Sequence, residues 1–288
     1  MTVQGIVFTL LNGVSLGIIL FILASGLSLV LGVMGILNLA HGALYMVGAF
    51  VGWSIAVQYG LNFGLAILAG GITAGLIGLA MERGFLCHLH GQLGDQVLLT
   101  IGFIYILTNL CQWVWGPVAK ATFKPAFLSG SFNLMGMSYP VDRISIILIG
   151  LLIAIGLWWL QERTRVGAII RAGIDDREMT MGLGINVGLV SSVVFFLCAF
   201  LAGVAGVIGA QLLGVNLQFG WNILVFALLV VIVGGMGSLI GSLAGGLAIG
   251  IIDSFGRGLL PHLGMTMTCI AALLILLVRP FGLFGRRI

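Results

Sequence analysis

The chain has 288 residues, of which 60% are hydrophobic and 7% are charged. A soluble domain carries about a quarter charged residues, so this composition excludes a soluble enzyme and indicates a protein that crosses a membrane several times. The net charge of +4 comes from dispersed basic residues beside apolar stretches, which does not favour nucleic acid as a partner.

Nine apolar stretches predict helices that cross the membrane fully or in part. In chain order they are 6–31, 32–52, 63–81, 97–115, 144–160, 189–213, 221–233, 239–255 and 265–278. We therefore predict an all-α polytopic membrane protein, with a bundle of eight to ten transmembrane helices that forms one domain over residues 1–288.

The second stretch carries polar residues at helical spacing. Asn38, His41, Gly42 and Tyr45 fall at i, i+3, i+4 and i+7, so they share one face of a helix. Polar groups in an apolar segment must be buried in protein or must line a water-filled path. We predict that these four residues border a translocation path. Their alternative role is to tie neighbouring helices together, and both roles can hold at once.

Glycines interrupt the apolar pattern once in each half of the chain. The first interruption contains Gly32 and Gly35, and the second contains Gly234, Gly235 and Gly237. Interrupted helices in both halves are typical of an inverted repeat with a solute path near the membrane midplane. We therefore predict hinges at these five glycines, while two unrelated hinges remain the alternative.

The sequence carries little that indicates catalysis or metal binding. It contains neither GxxxxGK[ST] nor HExxH, and its one match to GxSxG, residues 13–17, lies inside an apolar stretch that predicts a membrane helix, so we do not expect an enzyme. The four cysteines show no CxxC spacing, and we expect neither a disulfide nor a metal site. Asp253 is an isolated carboxylate in an apolar stretch, and we predict that it pairs with Arg257 one turn later rather than relaying protons.

Basic residues predict the orientation of the chain. Placing 82–96, 161–188 and the C-terminal segment in the cytoplasm satisfies the positive-inside rule. Eight arginines are then inside: Arg83, Arg163, Arg165, Arg171, Arg177, Arg279, Arg286 and Arg287. Four basic residues are outside: Lys120, Lys124, Arg143 and Arg257. The first helix then begins outside, unless an early segment is re-entrant.

Residues 161–188 contain a pattern that predicts a short amphipathic helix. The pattern combines an apolar stripe with an i, i+4 ion pair: Ile170, Ile174 and Met181 for the stripe, and Arg171 and Asp175 for the pair. The helix is expected to end near Gly182 or Gly184. An apolar stripe with charged flanks favours docking on a protein or a membrane surface.

Five stretches of the sequence, in order from end to end, resemble the permease subunits of ABC importers for branched-chain amino acids, of the LivH type. They begin at Gly26 (GLSLVLG), Asn38 (NLAHGALYMVGA), Arg163 (RTRVG), Gly234 (GGMGSLIG) and Arg279 (RPFGLFG). Each stretch alone is a weak signal, whereas the ordered set is specific to the family. The resemblance implies a transport subunit that works by ATP-driven alternating access.

The resemblance also implies partners and a location. The chain would work with a second permease subunit, two cytoplasmic ATPase subunits and a periplasmic solute-binding protein, in the lipid of a bacterial cytoplasmic (inner) membrane. ATP would bind the ATPase subunits, so no cofactor is expected on this chain. The segment 161–188 corresponds to the family's coupling loop. The implied ATPase contacts are Arg171, Asp176, Arg177, Glu178 and Gly184.

The sequence leaves the identity of the solute open. Many members of the family have glutamate where this chain has Ala43. Branched-chain or other hydrophobic amino acids are expected, with urea, short amides or another small solute as the alternative. A self-sufficient secondary transporter or channel is the rival of another class, and it would need ionisable residues on several membrane-spanning helices.

Overall fold

The computed structural model describes residues 3–284, except 90, 126–129, 135–136, 176, 183, 260–263 and 281. Within the described residues the chain forms eleven α-helices: α1 (Val3–Met34), α2 (His41–Trp53), α3 (Phe63–Gly84), α4 (Leu93–Trp115), α5 (Val141–Arg163), α6 (Arg165–Asp175), α7 (Arg177–Gly182), α8 (Val187–Leu213), α9 (Phe219–Gly234), α10 (Leu239–Leu259) and α11 (Gly264–Val278). A π-helical turn, Ser54–Gln58, extends α2. Strands β1 (Ser131–Leu134) and β2 (Met137–Pro140) pair antiparallel.

Six of the described helices are long and apolar enough to cross a membrane: α1, α3, α4, α5, α8 and α10. At a rise of about 1.5 Å per residue, a bilayer core of about 30 Å needs some 20 residues. Helices α9 and α11 are apolar but have only 16 and 15 residues, and α2 has 13. The predicted all-α polytopic class is confirmed, and these nine helices fall within the predicted number.

The nine helices α1–α5 and α8–α11 alternate in direction, so their connections lie at two ends of the bundle. One end carries six of the arginines that were placed inside: Arg83, Arg163, Arg165, Arg171, Arg177 and Arg279. We call it the arginine-rich end; Arg286 and Arg287 lie outside the described residues. Lys120, Lys124, Arg143 and Arg257 lie at the opposite end, where α1 also begins. By the positive-inside rule this is the end expected in the cytoplasm, and the orientation stays a prediction.

Glycines bring the central helices into backbone contact. A Cβ atom on Gly17 of α1 would lie 2.8 Å from the carbonyl oxygen of Gly246 on α10. A Cβ atom on Gly203 of α8 would lie 2.4 Å from the carbonyl oxygen of Gly70 on α3, and one on Gly48 of α2 would lie 2.4 Å from Gly203 Cα. Such close packing stabilises helix association in lipid, where no hydrophobic drive between helices exists.

The helices form a buried centre and an exposed rim. Most of α1, α2 and α8 is buried within the bundle, whereas α4 and α5 are mostly exposed. The exposed side chains on the rim are large and apolar, for example Leu98 on α4, Leu152 on α5 and Leu277 on α11. The rim therefore suits contact with lipid, and the centre is where the polar residues of α2 lie.

Candidate translocation core and coupling loop

The segment between α1 and α2, residues 35–40, is not helical and runs back into the bundle. Gly35 ends α1 with φ at +62°, in the left-handed region that favours glycine. Asn38 is buried, and Nε2 of His41 lies 3.0 Å from the carbonyl oxygen of Leu23, in the interior of α1. Helix α2 therefore begins inside the bundle, where irregular backbone is tolerated because protein encloses it.

The structure places the predicted path residues Asn38, His41, Gly42 and Tyr45 together in the packed core. The Asn38, His41 and Tyr45 side chains are each no more than 1% exposed, and Gly42 is also buried. Asn38 Oδ1, His41 Nδ1 and the Tyr45 hydroxyl have no hydrogen-bond partner within the described part of the chain. Unused hydrogen-bonding capacity in a packed core is uncommon and calls for an explanation such as water or ligand.

The start of α2 meets the start of α9. A Cβ atom on Gly42 would lie 2.3 Å from the carbonyl oxygen of Gly220, so glycine is required where the two helices touch. The Tyr45 ring packs edge-on against the Phe219 ring, with 6.2 Å between centroids. Two helix N-termini, each with partial positive charge, thus converge near the centre of the bundle.

The two halves of the chain share this arrangement of helices. Helix α1, a return segment and the short helix α2 correspond to α8, residues 214–218 and the short helix α9. Gly214 opens the second return segment with φ at +75°. In chain order the counterpart of the Gly35 break is therefore 214–218, which sequence reasoning missed. Gly214 and Asn216, two turn-forming residues between apolar runs, were the signal that could have found it.

The predicted hinge glycines divide into two groups. Three have positive φ: Gly35 at 62°, Gly235 at 103° and Gly237 at 77°. Gly32 lies within α1, and Gly234 is the last residue of α9. The Gly237 amide donates to the Ser28 hydroxyl at 2.9 Å, so the break between α9 and α10 packs against α1 at the arginine-rich end. Hinge motion at these glycines stays a prediction.

The last described residues cap α9. The Leu283 amide donates to the Val233 carbonyl at 2.8 Å, and the Phe284 amide donates to the Gly234 carbonyl at 3.0 Å. The last carbonyls of a helix have no partner within the helix itself. The C-terminal segment therefore closes the arginine-rich end of α9.

The predicted coupling loop, 161–188, forms two helices where one was expected. Helix α7 ends at Gly182, and Gly184 has φ at +80°. Ile170, from the predicted apolar stripe, is buried in an apolar cluster with residues of α1 and α8. At this residue the stripe packs on the chain's own bundle, which corrects the expectation that it would face a partner or a membrane surface. Val166 remains exposed.

A tight corner joins α5 to α6. The Thr164 hydroxyl caps α6 by accepting a hydrogen bond from the Gly167 amide at 3.1 Å. A Cβ atom on Gly167 would lie 2.2 Å from the carbonyl oxygen of Gln161. The Arg171 guanidinium donates to that carbonyl and lies 3.7 Å from the Glu162 carboxylate. Arg171 therefore binds the end of α5.

The structure describes the other predicted ATPase contacts only in part. Asp176 lies outside the described residues. The backbone of Arg177 and Glu178 belongs to α7, and their side chains, like that of Asp175, are not described. The role of this group in docking an ATPase stays a prediction.

A buried carboxylate that sequence reasoning missed joins α3 to α8. Glu82 is 2% exposed, and its Oε2 accepts a hydrogen bond from the Ser192 hydroxyl at 2.7 Å. The Ser192 hydroxyl in turn accepts from Arg83 Nε at 3.3 Å. The network fixes the first turns of α8, which follows α7 in the chain. Its members are 110 residues apart along the chain, so no local pattern marks them.

Removing this link is expected to destabilise the chain. Ser192→Ala leaves the buried Glu82 carboxylate without its donor, which costs about 1–3 kcal/mol. The expected result is a lower melting temperature of the purified chain in detergent. Ser191→Ala is the matched control, because Ser191 is also buried and lies outside the network. Equal melting temperatures for the two variants would show that Glu82 does not depend on Ser192.

The isolated carboxylate Asp253 forms the predicted pair. It is buried, and its Oδ2 lies 2.7 Å from Arg257 Nε, one turn later on α10. The Thr268 hydroxyl of α11 donates to its other oxygen at 3.4 Å. These contacts give Asp253 a structural role at the end opposite the arginine-rich end.

Alternating membrane helices, two interrupted helices that meet at the centre and a helical loop at a basic end define a polytopic membrane transport subunit of the permease class. The family described as "Branched-chain amino acid transport system / permease component" matches residues 9–278. The chain belongs to this family, and it is a transport subunit rather than an enzyme.

Individual relatives match over nearly the whole chain. It is 30% identical to the high-affinity branched-chain amino acid transport system permease protein BraD of Pseudomonas aeruginosa, over 96% of this chain and 95% of that protein. It is 29% identical to LivH of Escherichia coli K12, over 96% and 94% of the two chains. It is also 29% identical to the ribose import permease protein RbsC of the same organism, over 91% and 79%.

A solved structure has a similar fold. PsaBC from Streptococcus pneumoniae, in complex with Fab, matches with a TM-score of 0.51 at 15% identity, and the match covers 93% of this chain and 89% of the other. At this identity the likeness concerns the fold alone.

Proposed function

We propose that the chain is one of two permease subunits of an ATP-driven importer in a bacterial cytoplasmic membrane. The importer carries branched-chain or other hydrophobic amino acids by alternating access. The observation that carries the proposal is the helix pair α6 and α7 at the arginine-rich end, fixed to the bundle through the buried Ile170 and the α5–α6 corner. A rigid attachment of this kind suits a segment that receives force from a cytoplasmic partner.

The proposal includes the remaining subunits of the importer. Two ATPase subunits bind and hydrolyse ATP, and α6 and α7 form the docking site on this chain. The candidate contacts are Arg177, Glu178 and Asp176, whereas Arg171 holds α6 in place. A second permease subunit completes the path, and a periplasmic binding protein delivers the solute at the opposite end. ATP binding opens the path outward, and hydrolysis resets it inward.

The solute is proposed from the relatives and from the core. BraD and LivH are named for branched-chain amino acids, which supports that class. The likeness to a ribose permease keeps another small solute, such as urea or a short amide, as the second candidate. In the described conformation Asn38, His41, Gly42 and Tyr45 are enclosed, so they would reach solute only when α2 and α9 move apart.

The test is co-purification of the tagged chain from its native membrane in mild detergent. The proposal expects two ATPase subunits and a second permease to be recovered with it, and uptake in cells to be sensitive to vanadate. Recovery of the chain alone, with uptake that a protonophore abolishes, would favour a secondary transporter instead. An ABC importer of known composition, purified in parallel, controls for dissociation in detergent.

A further inference from the structure

Helix α4 carries polar and small residues along part of one exposed side. Gly102, Tyr105, Asn109 and Gln112 fall at i, i+3, i+7 and i+10, which places them on one face. We call these four residues the α4 stripe. The opposite side of α4 is buried against the bundle and holds the residues Gln96, Thr100, Ile104, Leu107 and Cys111. The stripe therefore lies on the side of α4 that the bundle leaves exposed.

The stripe is poorly suited to lipid. Tyr105 is 58% exposed, and Asn109 is also exposed. Asn109 Nδ2 donates to the Tyr105 carbonyl at 2.8 Å, and its amide oxygen accepts no hydrogen bond within the described part of the chain. The neighbouring exposed positions on the same helix are the apolar Ile106 and Leu110. The polar side chains of this part of α4 thus lie on one side of the helix, which indicates that this side contacts something other than lipid hydrocarbon.

The stripe reaches the depth of the bilayer core. Helix α4 has 23 residues, and Tyr105 is close to its midpoint. At about 1.5 Å per residue, Asn109 lies about 9 Å from the end of the helix, inside the level of its terminal tryptophans. An interfacial position therefore does not account for Tyr105 and Asn109.

The stripe is continuous with the place where the interrupted helices meet. The Tyr105 ring packs edge-on against the Trp221 ring of α9, with 6.1 Å between centroids. Trp221 and Asn222, in the first turn of α9, are exposed. Beside them, the buried Thr108 hydroxyl has no hydrogen-bond partner within the described part of the chain. Polar groups of α4 and the start of α9 thus form one surface at mid-depth.

We propose that the α4 stripe and the start of α9 line a water-filled path for the solute, on the face where this chain meets the second permease subunit. This inference rests on the proposed function and specifies its site. Hydroxyl and amide groups in water suit a small zwitterionic or neutral polar solute, because they exchange hydrogen bonds with it without holding it by charge. The path residues are then Tyr105, Asn109 and Asn222.

Thiol accessibility tests the proposal on the assembled importer in membrane vesicles. The four native cysteines, Cys87, Cys111, Cys198 and Cys269, are first replaced by alanine, and single variants Tyr105→Cys and Asn109→Cys are made in that background. Ile106→Cys and Leu110→Cys are matched controls, since they are similarly exposed on the same helix. A charged methanethiosulfonate reagent reacts with the thiolate, which forms in water and not in lipid, so we expect labelling at 105 and 109 to be about tenfold faster than at 106 and 110.

The outcomes separate this proposal from the proposed function. Fast labelling at 105 and 109, slowed by saturating solute, supports the path. Slow labelling at all four positions, in a complex that still transports, overturns the proposal. It would show that lipid or a tightly packed helix, and not water, covers the stripe. Equal labelling at all four also overturns it, because the apolar positions would then be hydrated too. Loss of ATPase partners or of vanadate-sensitive uptake in the parent chain would count against the proposed function alone.

Discussion

Replacing Gly48 by leucine is expected to abolish accumulation of the folded chain in the membrane. A Cβ atom at this position lies 2.4 Å from both the Cα and the carbonyl oxygen of Gly203, so α2 and α8 would have to separate. Extra side-chain atoms in a packed core cost about 1–3 kcal/mol, and displacement of whole helices costs more. Since folded proteins are stable by only about 5–15 kcal/mol, most of the margin would be lost.

The measurement is the yield and size-exclusion profile of a fluorescent fusion extracted in detergent. Gly156→Leu is the matched control, because Gly156 is an exposed glycine of α5 with no atom near its missing side chain. We expect a normal, symmetrical peak from the control and little or none from Gly48→Leu. A normal peak from both variants would mean that α2 and α8 do not touch at this point.

Gly167→Ala is expected to stop solute uptake while the chain still accumulates in the membrane. The added methyl group would lie 2.2 Å from the Gln161 carbonyl and 2.4 Å from the Leu160 carbonyl, which opens the corner between α5 and α6. The corner lies at the arginine-rich end and is not part of the central packing of α1, α2 and α8, so the chain is still expected to fold. The angle of α6 and α7 relative to α5 would change, and ATP hydrolysis would no longer drive transport.

Uptake of labelled solute and ATPase activity of the purified complex are measured together. Gly156→Ala, on the exposed side of α5 with no atom near its missing side chain, makes the same chemical change and should leave both activities intact. The expected signature of Gly167→Ala is ATP hydrolysis without uptake. Normal uptake in this variant, or equal loss in the control, would contradict the role assigned to the corner.

The sequence was informative where the determinant is local. Long apolar runs predicted the helices because bilayer thickness imposes a minimum length. The polar spacing of His41, Gly42 and Tyr45 predicted one helical face because helical periodicity is fixed. Asn38 was predicted on the same helix but precedes α2 in non-helical backbone. Gly35, Gly235 and Gly237 were predicted as interruptions, and their positive φ values are ones that glycine adopts at little cost.

The sequence did not predict features that depend on contacts between segments far apart in the chain. Periodicity around Ile170 predicted an apolar stripe, but a stripe does not say which surface covers it, and here the chain covers it itself. The Glu82–Ser192 bond and the Gly42–Gly220 contact join residues far apart along the chain. The exposed polar line on α4 was missed because exposure on a membrane helix depends on which of its sides the bundle covers.

The short helix α2 constrains how the protein is made. With 13 residues it lacks the length by which a segment is recognised as membrane-spanning on its own. Its glycines find their contacts on Gly203 and Gly220, more than a hundred residues later in the chain. The first half therefore lacks these contacts in the bilayer until α8 and α9 have been made, and the two halves of this permease complete their packing together.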